Sequence, residues 1–159
     1  MTEWHGVFGK LPEARDFVTR GLPGPVKRGF DRWLTQNVAG RGALWPDGGL
    51  RGLLTFETPA LFVAVESQDK VGRQYPLAAL TSGLGASLEE AEIWCDSVYP
   101  TLKSAAEGAA SLDALACTLN AVPISHRSLD PEGDAIWIRG GDPLQPGTQT
   151  LETLGFRAT

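Results

Sequence analysis

Side chains that commonly hold metals or close disulfides are scarce in this chain of 159 residues, which has two cysteines, two histidines and one methionine. Cys95, Cys117, His5 and His126 form no C-x-x-C or H-x-x-x-H pair, so no metal site is expected. Both cysteines fall in segments with helical patterning and are read as reduced, buried thiols rather than a disulfide. Positive charge is also in short supply. Lys and Arg number 14 against 19 Asp and Glu, a formal net charge of −5. That balance argues against general binding to nucleic acid or to acidic membrane. No apolar run approaches the roughly 20 residues that cross a bilayer, and the longest, such as "ALFVAV", are strand-sized. The N-terminus shows no basic segment followed by an apolar one, so no signal peptide is expected.

Nucleotide and hydrolase signatures are missing too. "GVFGKLPEARDFVTRGLP" contains Gly9-Lys10, but a phosphate-cradling loop needs four residues between its glycines and a hydroxyl after the lysine. Here only Val7 and Phe8 separate Gly6 from Gly9, Leu11 follows Lys10, and Pro12 removes a backbone N–H. The segment therefore reads as a strand ending in a turn. No G-x-S-x-G nucleophile elbow occurs.

What remains is an ordinary globular composition, 42% hydrophobic and 21% charged. The length suits one domain that buries about 70% of its unfolded surface. A first strand is expected over 4–9, then an irregular segment over 11–23. A helix opens near Pro25, with Val26, Phe30, Trp33, Leu34 and Val38 on one stripe and Gly40 as its stop. Asp47-Gly48-Gly49 signals a turn. Strands follow at 51–56 and 60–66, and the second pairs antiparallel with a strand at 73–81. Ser87 and Glu90 make a capping box for a helix with Leu88, Ala91, Cys95 and Val98 inward. Pro100 predicts a break, giving helices near 88–98 and 100–109. Ser111 caps a third helix bearing Leu112, Leu115, Ala116 and Leu119. "DAIWIRG" is a last strand. Together these predict an α+β single domain, a mostly antiparallel central sheet with helices packed on it. Phe30, Trp33, Leu34, Phe62, Val63, Leu77, Leu88 and Leu115 are the expected core.

Candidate chemistry is sparse. Ser125, His126, Ser128 and Asp130 lie close in sequence, which does not make a triad, although a small hydrolase would have to use them. Glu89, Glu90 and Glu92 read as a solvated face near a helix N-terminus. A second group is more informative. Lys10, Arg15 and Asp16 lie in the first irregular segment, while Asp69, Lys70 and Arg73 lie in the hairpin loop, and strand 1 and the hairpin can bring both to one end of a sheet. Internal ion pairs, Asp16 with Arg73 or Asp69 with Arg15, are one reading. A partner-binding edge is the second, and an anion-sensing site on Lys10 and Arg73 is the third.

Three ordered stretches, "GVFGKLPEARDFVTRGLP", "FDRWL" and "SQDKVGRQYPLAAL", resemble the TagF (ImpM) family of bacterial type VI secretion. The shared pattern covers Gly6, Gly9, Lys10, Pro12, Asp16, Phe17, Val18, Arg20, Leu22 and Pro23. It continues at Asp31, Trp33 and Leu34, then at Ser67, Asp69, Val71, Gly72, Arg73, Tyr75, Pro76 and Leu77. The chain departs from the pattern between the first helix and the S-x-D motif, where "LRGLLTFETPALFVAVE" is compact. The resemblance implies one TagF-like domain over 1–159 without the phosphatase domain fused to some relatives. It also implies a cytoplasmic, non-enzymatic, cofactor-free regulator that restrains the secretion apparatus after translation by binding a component such as the forkhead-associated scaffold protein. Lys10, Arg15, Asp16, Asp69 and Arg73 are then the partner-binding candidates.

Overall fold

The computed structural model describes residues 4–38, 45–82, 88–122 and 134–144. The expected Gly40 stop, the Ser87 capping box and the Ser125–Asp130 cluster lie outside those residues. Within them the elements run β1 (His5–Gly9), β2 (Val18–Arg20), α1 (Gly24–Asn37), β3 (Leu50–Phe56), β4 (Thr58–Val65), β5 (Leu77–Ser82), α2 (Leu88–Ala106), α3 (Leu112–Ala121) and β6 (Ala135–Ile138). The strands form one sheet in the order β2-β1-β5-β4-β3-β6, and every neighbouring pair is antiparallel. This is the expected α+β single-domain architecture. The hairpin of the second half of the pattern is there as well: β4 pairs with β5, Val65 facing Leu77 and Leu61 facing Thr81.

Apolar residues occupy consecutive strand positions because helices cover both faces of the sheet. Phe8, Phe62, Ala64, Ala78 and Leu80 turn to α1, where Val26, Phe30 and Leu34 meet them. Val7, Leu61, Val63, Leu77 and Ala79 turn the other way, onto Trp94, Cys95, Val98 and Leu102 of α2 and Leu115 and Leu119 of α3. β6 obeys the same alternation, with Ile136 in the α1 layer and Trp137 in the α2 layer. Gly29 lets α1 approach closely, since a Cβ there would run into the ring of Phe56.

Several expectations change. The irregular segment 11–23 contains β2, a strand of three residues whose Thr19 and Arg20 are exposed, too short and too polar to show a period of two. Pro100 does not break α2, which runs through it. It sits on the solvent face, while buried Trp94, Cys95, Val98, Leu102 and Ala105 hold the helix to the sheet on both sides of it. Packing of an amphipathic face outweighs the local penalty of the missing N–H. The inward stripe of α2 starts at Ala91, and Leu88 is 44% exposed rather than core. Trp33 is half-buried, stacked on Phe30 and tilted against Phe62. Phe30, Leu34, Phe62, Val63, Leu77 and Leu115 are buried as expected. Cys95 is a buried free thiol, pushed up by burial, but Cys117 is a free thiol on the exposed side of α3. Ser111 does cap α3, its hydroxyl accepting from Ala114 N–H at 3.0 Å.

Candidate functional site

β1 ends at Gly9, whose φ of 140° is open to glycine and whose Cβ position would fall on the carbonyl of Pro76. This close approach brings the segment after β1 against the loop that precedes β5. Lys10 N–H donates to Pro76 O at 3.2 Å, and the buried Leu11 anchors the next residue in the α2 layer. Three further hydrogen bonds join the two loops. Ser67 Oγ donates to Lys10 O at 2.6 Å, Lys70 N–H to Ala14 O at 2.7 Å, and Arg73 Nη2 to Arg15 O at 2.8 Å. The two charged segments therefore do lie side by side at one end of the sheet.

Asp69 is the hub of this junction. Its Oδ1 accepts from the backbone N–H groups of Val71 at 3.0 Å and Arg73 at 2.9 Å. Its Oδ2 takes Arg73 Nε at 2.7 Å and Lys10 Nζ at 3.2 Å. Gly72, at φ 89°, supplies the left-handed residue that closes the turn. The Asp69 side chain has no exposed surface, which alone would raise its pKa. The Arg73 N–H, the Lys10 ammonium, the Arg73 guanidinium and the Val71 N–H outweigh that burial and hold the carboxyl down to about 2.

The pairs expected from sequence, Asp16 with Arg73 and Asp69 with Arg15, do not form. Arg73 instead reaches Asp69 four residues back with one nitrogen and the Arg15 carbonyl with another. Asp69 and Lys10 are buried and face each other. They support the surface from beneath, through their pairing with each other and with the turn. Arg15 and Asp16 are exposed, and Arg73 is 61% exposed at its side chain. Because Lys10 and Arg73 converge on Asp69, that carboxylate already takes the place between their charged ends that an anion would need, which counts against an anion site there.

An aromatic floor lies beside the ion pair. Phe17 stacks on Phe8 at 5.7 Å and meets Tyr75 edge-on at 4.7 Å, and Lys10 Nζ lies 5.0 Å from the Phe17 ring centroid. The Tyr75 hydroxyl donates to Asp31 Oδ1 of α1 at 3.1 Å. Burial, together with the Asp31 carboxylate, pushes that phenol up and keeps it protonated. Two large apolar side chains are left facing outward here, Phe17 at 48% and Val71 at 59% exposure.

A second charged cluster was not anticipated. Arg51 lies in β3 with its side chain wholly buried, and its Nη1 and Nη2 sit 2.7 Å from Glu92 and 2.7 Å from Asp96 of α2. Glu92 also accepts from Trp137 Nε1 at 2.6 Å and from Gly140 N–H at 3.0 Å. Burial raises its pKa, but the Gly140 N–H, Arg51 and Trp137 reverse that and lower it. Glu92 is thus the clamp between α2, β3 and the end of β6, not part of a solvated face. The one sequence signal was an arginine inside an otherwise apolar strand. Beside this cluster, a cleft of about 400 Å³ is lined by residues including Trp45, Asp47, Glu66, Tyr99, Lys103 and Glu107. A more apolar hollow of about 310 Å³ lies between Trp4, Pro23, Pro25, Val26 and Phe56. Among the described residues no group of three or more His, Cys, Asp or Glu is arranged to hold a metal ion, and no helix is long and apolar enough to cross a membrane.

The family model described as "TagF N-terminal domain, Type VI secretion system-associated" matches residues 6–44, the stretch from β1 through α1. No curated protein matches the chain. The crystal structure of PA0076 from Pseudomonas aeruginosa PAO1 superposes with a TM-score of 0.62 over 90% of this chain and 86% of that one, at 22% identity, which establishes a shared fold. Residues 6–44 are thus similar to the N-terminal domain of TagF, a type VI secretion system-associated family.

Proposed function

We propose that the chain is a non-enzymatic, cytoplasmic regulator of type VI secretion, acting after translation as a repressor that binds a component of the apparatus such as a forkhead-associated scaffold protein. The observation that carries this reading is the junction of the 10–17 segment with the 67–75 loop. Its interior is fully occupied by Lys10, Asp69 and the turn backbone, while Phe17, Val71, Arg15 and the outer part of Arg73 face solvent. A rigid scaffold presenting a few exposed apolar and cationic side chains suits recognition of another protein. The similarity of residues 6–44 to the TagF N-terminal domain, a stretch that includes the 10–17 segment, supplies the link to secretion.

The test is a secretion assay in a host lacking its own copy. Restoring the wild-type chain should lower effector release, and an Arg15→Glu/Val71→Asp variant with an unchanged melting curve should fail to do so. The same variant should fail to co-purify with the forkhead-associated protein. Full repression by the variant would remove the junction from the binding surface.

A further inference from the structure

Charge is distributed unevenly across the sheet. On one side, α1 carries Lys27, Arg28 and Arg32 against Asp31. On the other, α2 carries Glu89, Glu90, Glu92 and Asp96 against Lys103. The positive side arises in a chain whose overall charge is −5, so it is a local feature and not a reflection of composition.

This basic helix face joins the loop junction. Arg28, Asp31, Arg32 and Thr35 recur at helical spacing, and all four are exposed. Thr35 Oγ1 lies 3.3 Å from the Tyr75 hydroxyl, and Tyr75 meets Phe17 at 4.7 Å. The surface therefore runs from Arg28 and Arg32, over the Tyr75–Phe17 floor, to Arg15, Lys70 and Arg73. Its acidic members are partly occupied. Asp31 accepts from Tyr75, and Asp69 is buried between Lys10 and Arg73, which leaves Glu13 and Asp16 beside Arg15 as exposed acids among the cations Arg15, Arg28, Arg32, Lys70 and Arg73. The guanidinium groups of Arg15 and Arg32 have no ion-pair partner among the described residues.

Resting on the binding role proposed above, we infer that the partner presents an acidic segment that lies along α1 and ends on Phe17 and Val71. Carboxylates of the segment pair with Arg28, Arg32 and Arg15, whose planar forks suit bidentate contacts. An apolar side chain of the segment covers the exposed Phe17 ring. Charge complementarity of this kind favours fast association and excludes partners with basic surfaces.

The experiment places the photo-cross-linker benzoylphenylalanine at Gln36, one turn beyond Arg32, in cells with active secretion, with a control at Ile93 on the outward side of α2. Captured peptides are sequenced by mass spectrometry. The expected result is capture at 36 of an Asp- and Glu-rich segment of a secretion component. Capture should fall at least tenfold in Arg28→Glu/Arg32→Glu and persist in Arg28→Lys/Arg32→Lys. Both variants should melt as the wild type does, since these side chains are exposed and Glu and Lys are helix formers comparable to Arg. A neutral or basic segment of a secretion component overturns the inference and leaves the proposed function standing. An acidic segment from a protein outside the apparatus supports the inference and overturns that function. Capture of α2 from a second copy of this chain overturns the inference in favour of self-association. No capture at 36 overturns the inference, while the proposed function stands or falls by the secretion assay above.

Discussion

Lys10 and Asp69 sit 3.2 Å apart at the end of the sheet, with the carboxylate side chain completely shielded from solvent. Two segments more than fifty residues apart in sequence are joined through this pair, and Asp69 also organises its own turn through two backbone N–H groups. Substituting Asp69 removes the acceptor for four donors at once and leaves the Lys10 ammonium buried without a counter-charge. Asp69→Ala should therefore lower the denaturation midpoint clearly more than Arg73→Ala. Arg73 is largely exposed and contributes one arm of the cluster. Chemical denaturation of the two variants side by side checks the order.

The same carboxylate gives the fold an acid limit. Its pKa is held at about 2 in the folded chain, below the ordinary value of 3.8. A depressed folded pKa contributes stability that is fully present above the ordinary value and is lost as pH falls toward 2. The lowered pKa of Glu92 adds in the same direction. Denaturation midpoints should hold between pH 7 and 5 and decline from about pH 4 downward. Asp69→Asn should flatten part of that decline, and NMR titration of the Asp69 carboxyl should give its low pKa directly.

Arg51 ties the sheet to α2 through two carboxylates. Its side chain is wholly buried and paired to Glu92 and Asp96. Arg51→Met leaves Glu92, which is mostly buried, without its guanidinium partner. A cost of about 3–5 kcal/mol is expected, as for other buried pairs broken on one side. Arg51→Met combined with Glu92→Gln should recover part of that loss. Urea denaturation of the two single variants and the double variant measures the coupling.

In the α1 layer, Phe30 is fully buried and packs edge-on to Phe8 at 6.3 Å, stacked with Trp33 at 6.3 Å and tilted against Phe62 at 5.0 Å. Phe30→Ala should cost about 3–5 kcal/mol, the usual range for a large buried aromatic. Trp33→Ala should cost less, because Trp33 is only half-buried. Equal losses in the two variants would contradict the layer as described.

Local patterning made the central strands legible. Leu61, Val63 and Leu77 interleave with Phe62, Ala64 and Ala78, and a run apolar on both faces points to a covered strand. It also made α1 and the Ser111 cap legible. Pro100 misled because its penalty is local, whereas the packing of Trp94 and Leu102 that overrides it is tertiary. The Arg51–Glu92 contact joins residues 41 apart, so no window along the chain contains it. At the junction, sequence placed Lys10 and Arg73 near one another, but its ion-pair reading matched Asp16 with Arg73 or Asp69 with Arg15, where Asp69 takes both Lys10 and Arg73. Turn chemistry decides that pairing, because the Asp69 carboxylate folds back onto the N–H groups of its own loop.

Val71 separates binding from folding better than any charged residue of the junction. Its backbone N–H donates to Asp69, but its side chain is 59% exposed. Val71→Ala keeps the N–H and the turn, so stability should change by no more than about 0.5 kcal/mol, as for ordinary surface substitutions. Val71→Asp keeps the turn as well but sets a carboxylate on the exposed side of the Asp69–Arg73 turn. If an acidic partner docks here, like-charge repulsion should weaken binding by about tenfold or more, with Val71→Lys retaining or improving it. Isothermal titration against the forkhead-associated protein, with thermal melts of each variant, reads both quantities. A Val71→Asp chain that melts normally and binds as tightly as the wild type would take the 69–73 turn out of the interface, leaving the Lys10–Asp69 pair as a purely structural clasp.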